Sequence, residues 1–299
     1  MDKTKEKRAI QYLRMFEPQD EPYYLCYSGG KDSDCIRILA QLAGVKHDIV
    51  HNLTTVDAPE TVYYVQSIPG IKIEPPEMSM WRLIVERVVP PTRRSRYCCE
   101  ELKERGGEGR MKITGVRWDE SDARAENAGV IKIIGKPKTT KKLAEQYGIE
   151  YRENRQGGII LNHDNVDTRR FVECCYRTRS TTINPIVDWT HADVWEFLRC
   201  YGCESNPLYR CGYSRVGCIG CPLQGADGQR KDFARYPKYR AAYVRAFDRM
   251  VARRRERGLR VDDAWQDGEH VMAWWLGDNL DQVSMDDIYD EIGEDVASC

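Results

Sequence analysis

The chain has 299 residues and a formal net charge of −1, which is long enough for one large domain or two moderate ones. No run approaches 18 apolar residues, so the sequence predicts no membrane span. The start, MDKTKEKRAIQYLRMF, carries charge but lacks the apolar core of a secretory signal, and we therefore expect a cytoplasmic protein.

The predicted elements of the N-terminal part alternate between strands and helices. PYYLCYS is typical of a short buried strand, DSDCIRILAQLA of a helix that ends near Gly44, and KHDIVHNLTTVD of a second strand. A helix after Pro59, the strand GIKIEPP, the helix MSMWRLIVERVV and the strand RMKITGVR follow. This order predicts an α/β fold with a Rossmann-like parallel sheet flanked by helices. Ligands of such sheets bind at the carboxyl ends of strands, where SGGKDS and GVRWDESDAR lie.

The rest of the chain follows a different pattern. Residues 1–124 form the predicted nucleotide-binding core, and residues 125–182 an insertion with short strands. Residues 183–236 carry a cysteine cluster, and residues 237–299 form a helical basic segment followed by an acidic tail. Within the third region Thr190 is a good helix N-cap, with Asp193 three residues later.

Charge is distributed unevenly near the C-terminus. Residues 230–260 contain twelve Lys or Arg and three acidic residues, whereas residues 261–299 contain twelve acidic residues and no Lys or Arg. Six arginines of the basic part recur at spacings that spread them around a helix instead of forming one stripe. The two segments either pair with each other or leave a basic surface for nucleic acid.

The chain contains twelve cysteines, which is many for a cytoplasmic protein. In a reducing compartment, clustered cysteines bind metal or perform redox chemistry more often than they form disulfides. The places to look are Cys98–Cys99, Cys174–Cys175 and the CIGC of Cys218–Cys221. Cys26 and Cys35 flank the SGGKDS loop and are interpreted as small buried apolar groups.

The SGGKDS loop, residues 28–33, has the chemistry of a phosphate site. Its two glycines let backbone N–H groups approach an anion, and the following helix adds its positive N-terminal end. Lys31 adds a full positive charge. The pattern differs from the P-loop of kinases and GTPases.

Instead, it resembles the pyrophosphatase loop (PP-loop) of the adenine nucleotide α-hydrolase-like superfamily. The resemblance implies that Ser28, Gly29, Gly30, Lys31, Asp32 and Ser33 hold the pyrophosphate part of ATP. Asp32 would help to place Mg²⁺, which carboxylates and phosphates commonly share.

Further motifs resemble the phosphoadenylyl sulfate (PAPS) reductase-like family. These are VDAPETV, RYCCEELK, GVRWDESDAR, NPIVDWTHADVWEFL and NPLYRCGYSRVGCIGCP, in the family's order over roughly residues 20 to 245. We expect nucleotide contacts for Asp57, Arg117 and Arg124, and a catalytic role for Glu120 beside Lys31, Asp32 and Arg117. The alternative for Arg117, Glu120, Ser121 and Arg124, which lie where a strand ends, is a surface salt-bridge patch. Arginines in this position favour bidentate contacts with phosphate or sulfate.

The same resemblance implies a [4Fe–4S] cluster, for which thiolates are the usual ligands. The matching ligands are Cys98, Cys99, Cys218 and Cys221, with Lys103 nearby, and Cys211 is an alternative ligand to Cys99. A four-thiolate Zn²⁺ site and unligated thiols remain alternatives. Cys174, Cys175, Cys200 and Cys203 are interpreted as core cysteines.

Two departures from the reductases bear on function. The reductases carry a catalytic cysteine in a Glu-Cys-Gly-x-x-His type segment, whereas Cys299 here ends the sequence without such neighbours. The reductases have also usually lost the lysine form of the loop, which this chain keeps. The sequence therefore predicts an ATP-dependent sulfurtransferase with ATP–Mg²⁺ and a cluster. It would need a sulfur or electron donor protein, and one candidate acceptor is nucleic acid. Alternatives are a sulfite-producing reductase and a non-catalytic nucleotide-binding module.

Overall fold

The structure is a computed structural model of the chain. It describes residues 2–134, 137–146, 148–155, 157–162, 168, 171–172, 180–261 and 263–278. Within these ranges no helix is both long and apolar enough to cross a membrane.

The chain divides into two compact units, each made of interleaved segments. Unit 1 comprises residues 1–51, 59–74 and 107–216, and unit 2 comprises residues 52–58, 75–106 and 217–299. The four regions predicted from the sequence are consecutive stretches, whereas each unit combines separate segments of the chain. The predicted boundaries between the four regions therefore stay predictions.

The described residues of unit 1 are built around an eight-stranded sheet in the order β3-β2-β1-β4-β8-β5-β7-β6. β1 (Tyr23–Cys26) lies parallel to both β2 (His47–Asn52) and β4 (Met111–Ile113), and β3 (Ile71–Glu74) follows β2 at the edge. β8 (Ser180–Ile183) is parallel to β4. The predicted α/β sheet flanked by helices is confirmed, and its first four strands lie where the sequence places them.

The sheet is mixed, because strands from residues 131–161 extend it with antiparallel pairing. β5 (Ile131–Ile134) pairs antiparallel with both β8 and β7 (Ile159–Leu161), and β6 (Arg152–Glu153) completes the edge. The short strands expected in this insertion therefore join the main sheet. Alternating burial along β5 and full burial of β7 fix the register, since a slip by one residue would expose the isoleucines.

Unit 1 also contains helices. They are α1 (Lys3–Met15), α2 (Lys31–Ala43), α3 (Pro59–Gln66), α6 (Asp122–Asn127), α7 (Pro137–Gln146) and α8 (His191–Cys200). Among them, α1, α2, α3 and α8 bury apolar residues. Leu13 of α1 and Ile36 and Leu39 of α2 are fully buried with Leu25 of β1. The helix α1 was not predicted from the sequence, because its charged residues conceal a stripe that ends in Leu13.

Unit 2 is mainly helical. It contains α4 (Met80–Arg87), α5 (Tyr97–Cys99) continuing as a π-helix (Glu100–Glu104), α9 (Gly225–Arg235), α10 (Pro237–Glu256) and α11 (Gly268–Trp275). Its core is aromatic: Tyr243 of α10 meets Trp81 and Trp275 at ring-centroid distances of 5.0 Å each. Such pairs add to the stabilisation from buried area alone.

Candidate functional site

The SGGKDS loop connects β1 to α2 and is fixed by its own hydrogen bonds. The Ser33 hydroxyl donates to the Gly30 carbonyl at 2.7 Å and accepts from the Gly30 N–H at 3.0 Å. Ser28 Oγ donates to Ser33 Oγ at 3.3 Å. The second serine of the motif thus closes the turn, so its role in the structure is to shape the loop.

Glycine is required at Gly29 for two independent reasons. Its φ of 75° lies in the left-handed region, which side chains other than glycine rarely adopt. A Cβ there would also lie 2.9 Å from Val65 Cγ2. The segment after β4 approaches the loop equally closely, because a Cβ on Gly115 would lie 3.0 Å from the Asp32 carbonyl.

Lys31, Asp32 and Arg117 form a compact charged group at the N-terminus of α2. Lys31 Nζ lies 3.2 Å from Asp32 Oδ2, and Arg117 Nε donates to Asp32 Oδ1 at 2.7 Å. Both cations are buried, and Arg117 Nη1 also reaches the exposed Asp119 at 3.3 Å. Two buried cations therefore share the Asp32 carboxylate, and phosphate oxygens could replace that carboxylate as their partner.

Two residues that the motifs did not single out hold the loop from outside. The Lys31 N–H donates to the Tyr209 hydroxyl at 2.9 Å. Asn206 Nδ2 donates to the Gly29 carbonyl at 3.0 Å and to Thr61 Oγ1 at 3.1 Å. Both residues belong to the motif NPLYRCGYSRVGCIGCP. Their presence in that motif was the available signal, but only a three-dimensional structure connects them to the loop.

The remaining predicted nucleotide-site residues differ in their placement. Glu120 Oε2 accepts from the Arg117 N–H at 3.2 Å and pairs with Arg124 at 2.7 Å, which ties this segment together at the surface. Asp57 belongs to unit 2, where it is buried and its Oδ2 accepts from the Thr54 N–H at 2.6 Å. These contacts do not test whether Glu120, Arg124 or Asp57 bind nucleotide, so their predicted roles stay predictions.

The predicted cluster cysteines Cys98, Cys99, Cys218 and Cys221 all belong to unit 2 and are all half-buried free thiols. Cys98 and Cys99 end α5, and Cys218 forms an isolated β-bridge with Asp57. The Cys218 thiol donates to Thr54 Oγ1 at 3.5 Å. Thr54 is a further neighbour of this site that the motifs did not indicate.

Electrostatic effects link the four thiols to one another and to two cations. The pKa of Cys98 is raised by its hydrogen bond with Cys99 and, to a smaller extent, by burial. The charges of Cys218 and Cys221 raise it further. The same hydrogen bond lowers the pKa of Cys99, helped by Lys103 and Arg96. The charges of Cys218, Asp57 and Cys99 in turn raise the pKa of Lys103, although burial opposes this shift.

The CIGC turn is held in place by helices that follow it in the chain. Asp232 Oδ2 accepts from the Gly220 N–H at 2.8 Å, and the Tyr243 hydroxyl donates to the Ile219 carbonyl at 3.0 Å. Gly220 has a φ of 72°, and a Cβ there would lie 2.6 Å from Phe233. The backbone of this turn is therefore positioned by α9 and α10.

The donor set and its charges fit an anionic thiolate-bound metal group, since two cations face thiols of one unit. Nevertheless, no three His, Cys, Asp or Glu side chains are grouped as metal ligands among the residues that the structure describes. The sulfurs are therefore gathered in one region but do not converge on a common point. Cys98, Cys99, Cys218 and Cys221 are the residues that would hold a cluster, and this ligand set stays a prediction.

The other cysteines have separate surroundings. Cys211 is exposed in unit 1, at the end of the 3₁₀ turn Pro207–Cys211, so its role as an alternative ligand stays a prediction. Cys200 is exposed, so its interpretation as a core cysteine is wrong. Cys203 is half-buried and accepts from Arg37 Nη2 at 3.9 Å. Cys174, Cys175 and Cys299 lie outside the described residues.

The arginines of α10 have several different partners. Arg240 pairs with Glu269 at 2.6 Å, so part of the predicted acidic tail neutralises the basic helix. Arg254 is buried, lies 5.3 Å from the Trp265 ring centroid and donates to the Val88 carbonyl at 2.8 Å. Arg245 and Arg249 are exposed. The basic segment is thus partly structural and leaves only some of its charge on the surface.

The chain matches the sequence model of the phosphoadenosine phosphosulfate reductase domain over residues 22–224. It therefore belongs to this family. It is 25% identical over 248 residues to an uncharacterized protein of Methanocaldococcus jannaschii, covering 78% of this chain and 43% of that protein. It is 31% identical over 71 residues to an adenosine 5'-phosphosulfate reductase of Bacillus cereus, covering 23% of this chain and 30% of the reductase.

In these alignments the chain spans less than half the length of the curated relatives. Among solved structures, Candida glabrata FMN adenylyltransferase is similar with a TM-score of 0.40 and 12% identity. That match covers 73% of this chain and 62% of the adenylyltransferase. This likeness is too distant to support an inference about function.

Proposed function

We propose that the protein is an ATP-dependent sulfurtransferase, which cleaves ATP to AMP and pyrophosphate and transfers sulfur to the adenylated acceptor. The observation that carries this proposal is the buried Lys31 at the N-terminus of α2, beside the Asp32–Arg117 pair. A lysine in this position is useful when a β,γ-pyrophosphate must be bound and released.

In the proposed first step, the loop binds the β- and γ-phosphates of ATP and the Lys31 ammonium moves from Asp32 to a phosphate oxygen. Asp32 is then free to share Mg²⁺ with the phosphates, and Arg117 stays close to the reacting phosphate. An acceptor oxygen attacks the α-phosphorus, the bond from that phosphorus to the bridging oxygen breaks, and pyrophosphate leaves. Lys31 neutralises part of the charge that develops on this leaving group.

In the proposed second step, a hydrosulfide-equivalent donor attacks the activated acceptor. The new bond to sulfur forms as the bond to the AMP oxygen breaks, the proton of hydrosulfide passes to solvent, and no atom changes its oxidation state. Cys98, Cys99, Cys218 and Cys221 would hold an iron–sulfur cluster, which supplies electron transfer or a binding site for sulfide when bound. Arg96 and Lys103 would offset the negative charge of that ligand set.

A second candidate is a reductase of adenylyl sulfate or PAPS, which is favoured by the family match over residues 22–224. It would release sulfite and the nucleotide, with two electrons supplied by a dithiol protein such as a thioredoxin. A third candidate is a non-catalytic module that binds nucleotide and regulates a partner.

One set of anaerobic assays separates the three candidates. The protein is incubated with ATP and Mg²⁺ plus tRNA, duplex DNA or small-molecule acceptors, and in parallel with adenylyl sulfate and a thioredoxin. Acceptor-dependent pyrophosphate release supports the sulfurtransferase. Sulfite without pyrophosphate would replace it with the reductase, and nucleotide binding without either product would leave the regulatory module.

A further inference from the structure

Unit 1 contains a polar cavity that the residues of the SGGKDS loop do not line. It has a volume of about 690 Å³ and lies between α2, the end of α3 and the segment 201–210. A cavity of this size is within the range of small-molecule sites. Neither the nucleotide loop nor the cluster cysteines line it, so the proposed reaction leaves it unexplained.

The cavity contains a cation whose hydrogen-bonding capacity is not met. Arg37, on α2, lines the wall, and its Nε is buried without a hydrogen-bond partner among the described residues. The Nη2 on the same edge of the guanidinium contacts the Cys203 sulfur at 3.9 Å. Sulfur is a weak acceptor, so this edge leaves room for stronger acceptors at both donors. An unmet buried donor of this kind is costly and calls for an explanation.

Other lining residues suit the same ligand chemistry. Ser205 also has a buried hydroxyl without a hydrogen-bond partner in the described part of the chain. Arg210 adds a second, exposed guanidinium at the rim, and Glu204 is the one carboxylate among the lining residues. Two guanidinium groups against one carboxylate leave a positive balance in the lining itself, although the charge of the buried Asp34 behind it also acts on Arg37. The Nε–Nη2 edge of arginine matches the two oxygens of a carboxylate, sulfate or phosphate.

Much of the remaining wall is apolar or aromatic, and Gln41 and Ser67 add two neutral polar side chains. Ile38 and Leu42 of α2, Ile68 after α3 and Pro207 contribute aliphatic surface, and Tyr64 contributes an aromatic ring. A bare inorganic oxyanion would occupy only a small part of 690 Å³. The volume and lining therefore fit an oxyanion attached to an organic body.

We propose that this cavity is a binding site for a small organic anion, whose oxyanion group is held by Arg37 and Arg210. The guanidinium of Arg37 turns toward the cavity and exchanges its weak contact with the Cys203 sulfur for two oxygen acceptors. Ser205 donates to the same group, and the body of the ligand packs on Tyr64 and Ile38. This site does not depend on the proposed sulfur transfer.

The wall of the cavity is continuous with the residues that hold the nucleotide loop. Asn206 and Tyr209 lie in the same segment as Ser205 and Arg210, and they hydrogen-bond to Gly29 and Lys31. We therefore expect binding of an anion in the cavity to change the affinity of the loop for its ligand.

The location of the anion is tested by soaking crystals of the protein with selenate, a sulfate analogue that selenium anomalous scattering locates directly. We expect an anomalous peak beside Arg37, separate from any peak at the SGGKDS loop. Peaks at the loop alone would overturn the proposal.

The solution test measures phenyl phosphate and inorganic phosphate binding by calorimetry in a Lys31→Ala background, which weakens the loop site. We expect phenyl phosphate to bind more tightly than phosphate, and Arg37→Gln to weaken it at least about tenfold. Arg210 is exposed, so the Arg210→Gln variant should fold normally. We expect it to bind phenyl phosphate several-fold more weakly. The matched control Arg199→Gln, an exposed arginine of α8, should have no effect. Equal weak binding in all variants would mean an adventitious ion only and would refute the site.

Discussion

The SGGKDS loop and the CIGC turn are both tight glycine-containing turns, but they are organised in different ways. In the loop, backbone and side chains are already joined by hydrogen bonds, and Lys31 and Arg117 both already contact Asp32. In the cysteine region, Asp232 and Tyr243 fix the backbone, while the thiols do not converge among the residues described. The side chains of the loop are thus joined before any ligand binds, whereas the proposed metal would have to draw the thiols together.

This contrast predicts different consequences of substitution. A change in the loop should alter binding and chemistry while the fold stays intact, because the scaffold does not depend on the ligand. A change among the cysteines should remove the metal and with it the stabilisation that metal binding contributes. Substitutions in the two regions therefore test whether the loop acts only on function and whether the cysteines also act on stability.

The largest effect is expected from the cysteines. Protein prepared anaerobically should be brown and contain about four iron and four sulfide per chain, as a [4Fe–4S] cluster requires. Cys218→Ser or Cys221→Ser should reduce iron to near zero and lower the melting temperature of the holoprotein. The exposed Cys200→Ser is the matched control and should retain iron.

Two outcomes would revise this account of the cysteines. A colourless protein with one Zn²⁺ would assign a structural metal site. Loss of iron in Cys211→Ser with retention in Cys99→Ser would exchange the fourth ligand and give a role to a cysteine of unit 1.

The next effect concerns Lys31. We expect Lys31→Ala to reduce ATP cleavage by about 100-fold or more, since charge stabilisation by one positioned group is commonly worth that much. Circular dichroism and the melting curve should remain close to wild type. The exposed Lys46→Ala in the same unit is the control and should leave the rate unchanged. Turnover near the wild-type rate in Lys31→Ala would refute the loop assignment.

A smaller effect is expected from Asp34, one turn into α2. Its Oδ1 accepts from the Tyr27 hydroxyl at 2.5 Å, and its carboxyl group is completely buried. Burial raises its pKa to about 6, although hydrogen bonding with Tyr27 and Tyr64 and the charge of Arg37 oppose this shift. The folded state therefore keeps the proton between about pH 4 and 6, where the unfolded state has lost it.

Stability should consequently be highest below the unfolded pKa and should decrease as pH rises through 6, with a full cost of about 3 kcal/mol. Asp34→Asn has no such titration. Its advantage over wild type in urea unfolding should grow by roughly 1 to 2 kcal/mol between about pH 5 and pH 8. A difference between the two proteins that is constant with pH would show that Asp34 ionises normally.

The smallest effect is expected at the basic helix α10. If Arg245 and Arg249 contact phosphates, tRNA or duplex DNA should bind at low salt, and the double variant with Gln should weaken binding several-fold. Trp265, Val271 and Met272 are buried, so the acidic tail should be truncated after Asp278 to keep the core. Removal of residues 279–299 should strengthen binding. A flat titration of the intact protein would exclude a nucleic-acid acceptor bound through this helix.

Much of the fold was predictable because periodicity and turn residues agree with each other. The helix α2 ends at Gly44 with a φ of 68°, and Thr190 caps α8 through Asp193, as the sequence indicates. The helix α1 was not predicted, because its charged positions outweigh a short apolar stripe. The pairing of β5 with β8 was not predictable either, because it depends on contacts between residues distant in sequence.

The sequence indicates candidate site residues that lie within one motif. It does not indicate the contacts between residues of separate segments. The order Ser28–Ser33 indicates the loop by itself, and two cysteine motifs indicate Cys98, Cys99, Cys218 and Cys221. The contact of Tyr209 with the Lys31 N–H joins residues 178 positions apart, and no local pattern encodes it. The same holds for Thr54 and Cys218, which are 164 positions apart.

The proposed function requires that the loop promotes cleavage of ATP between the α- and β-phosphates. It is tested most directly by incubating the anaerobic protein and its acceptor with ATP that carries labels at the α- and γ-phosphates. We expect the α-label to appear in AMP or in the adenylated acceptor and the γ-label in pyrophosphate, and we expect Lys31→Ala to form neither product. Appearance of the α-label in ADP and of the γ-label in inorganic phosphate would contradict it.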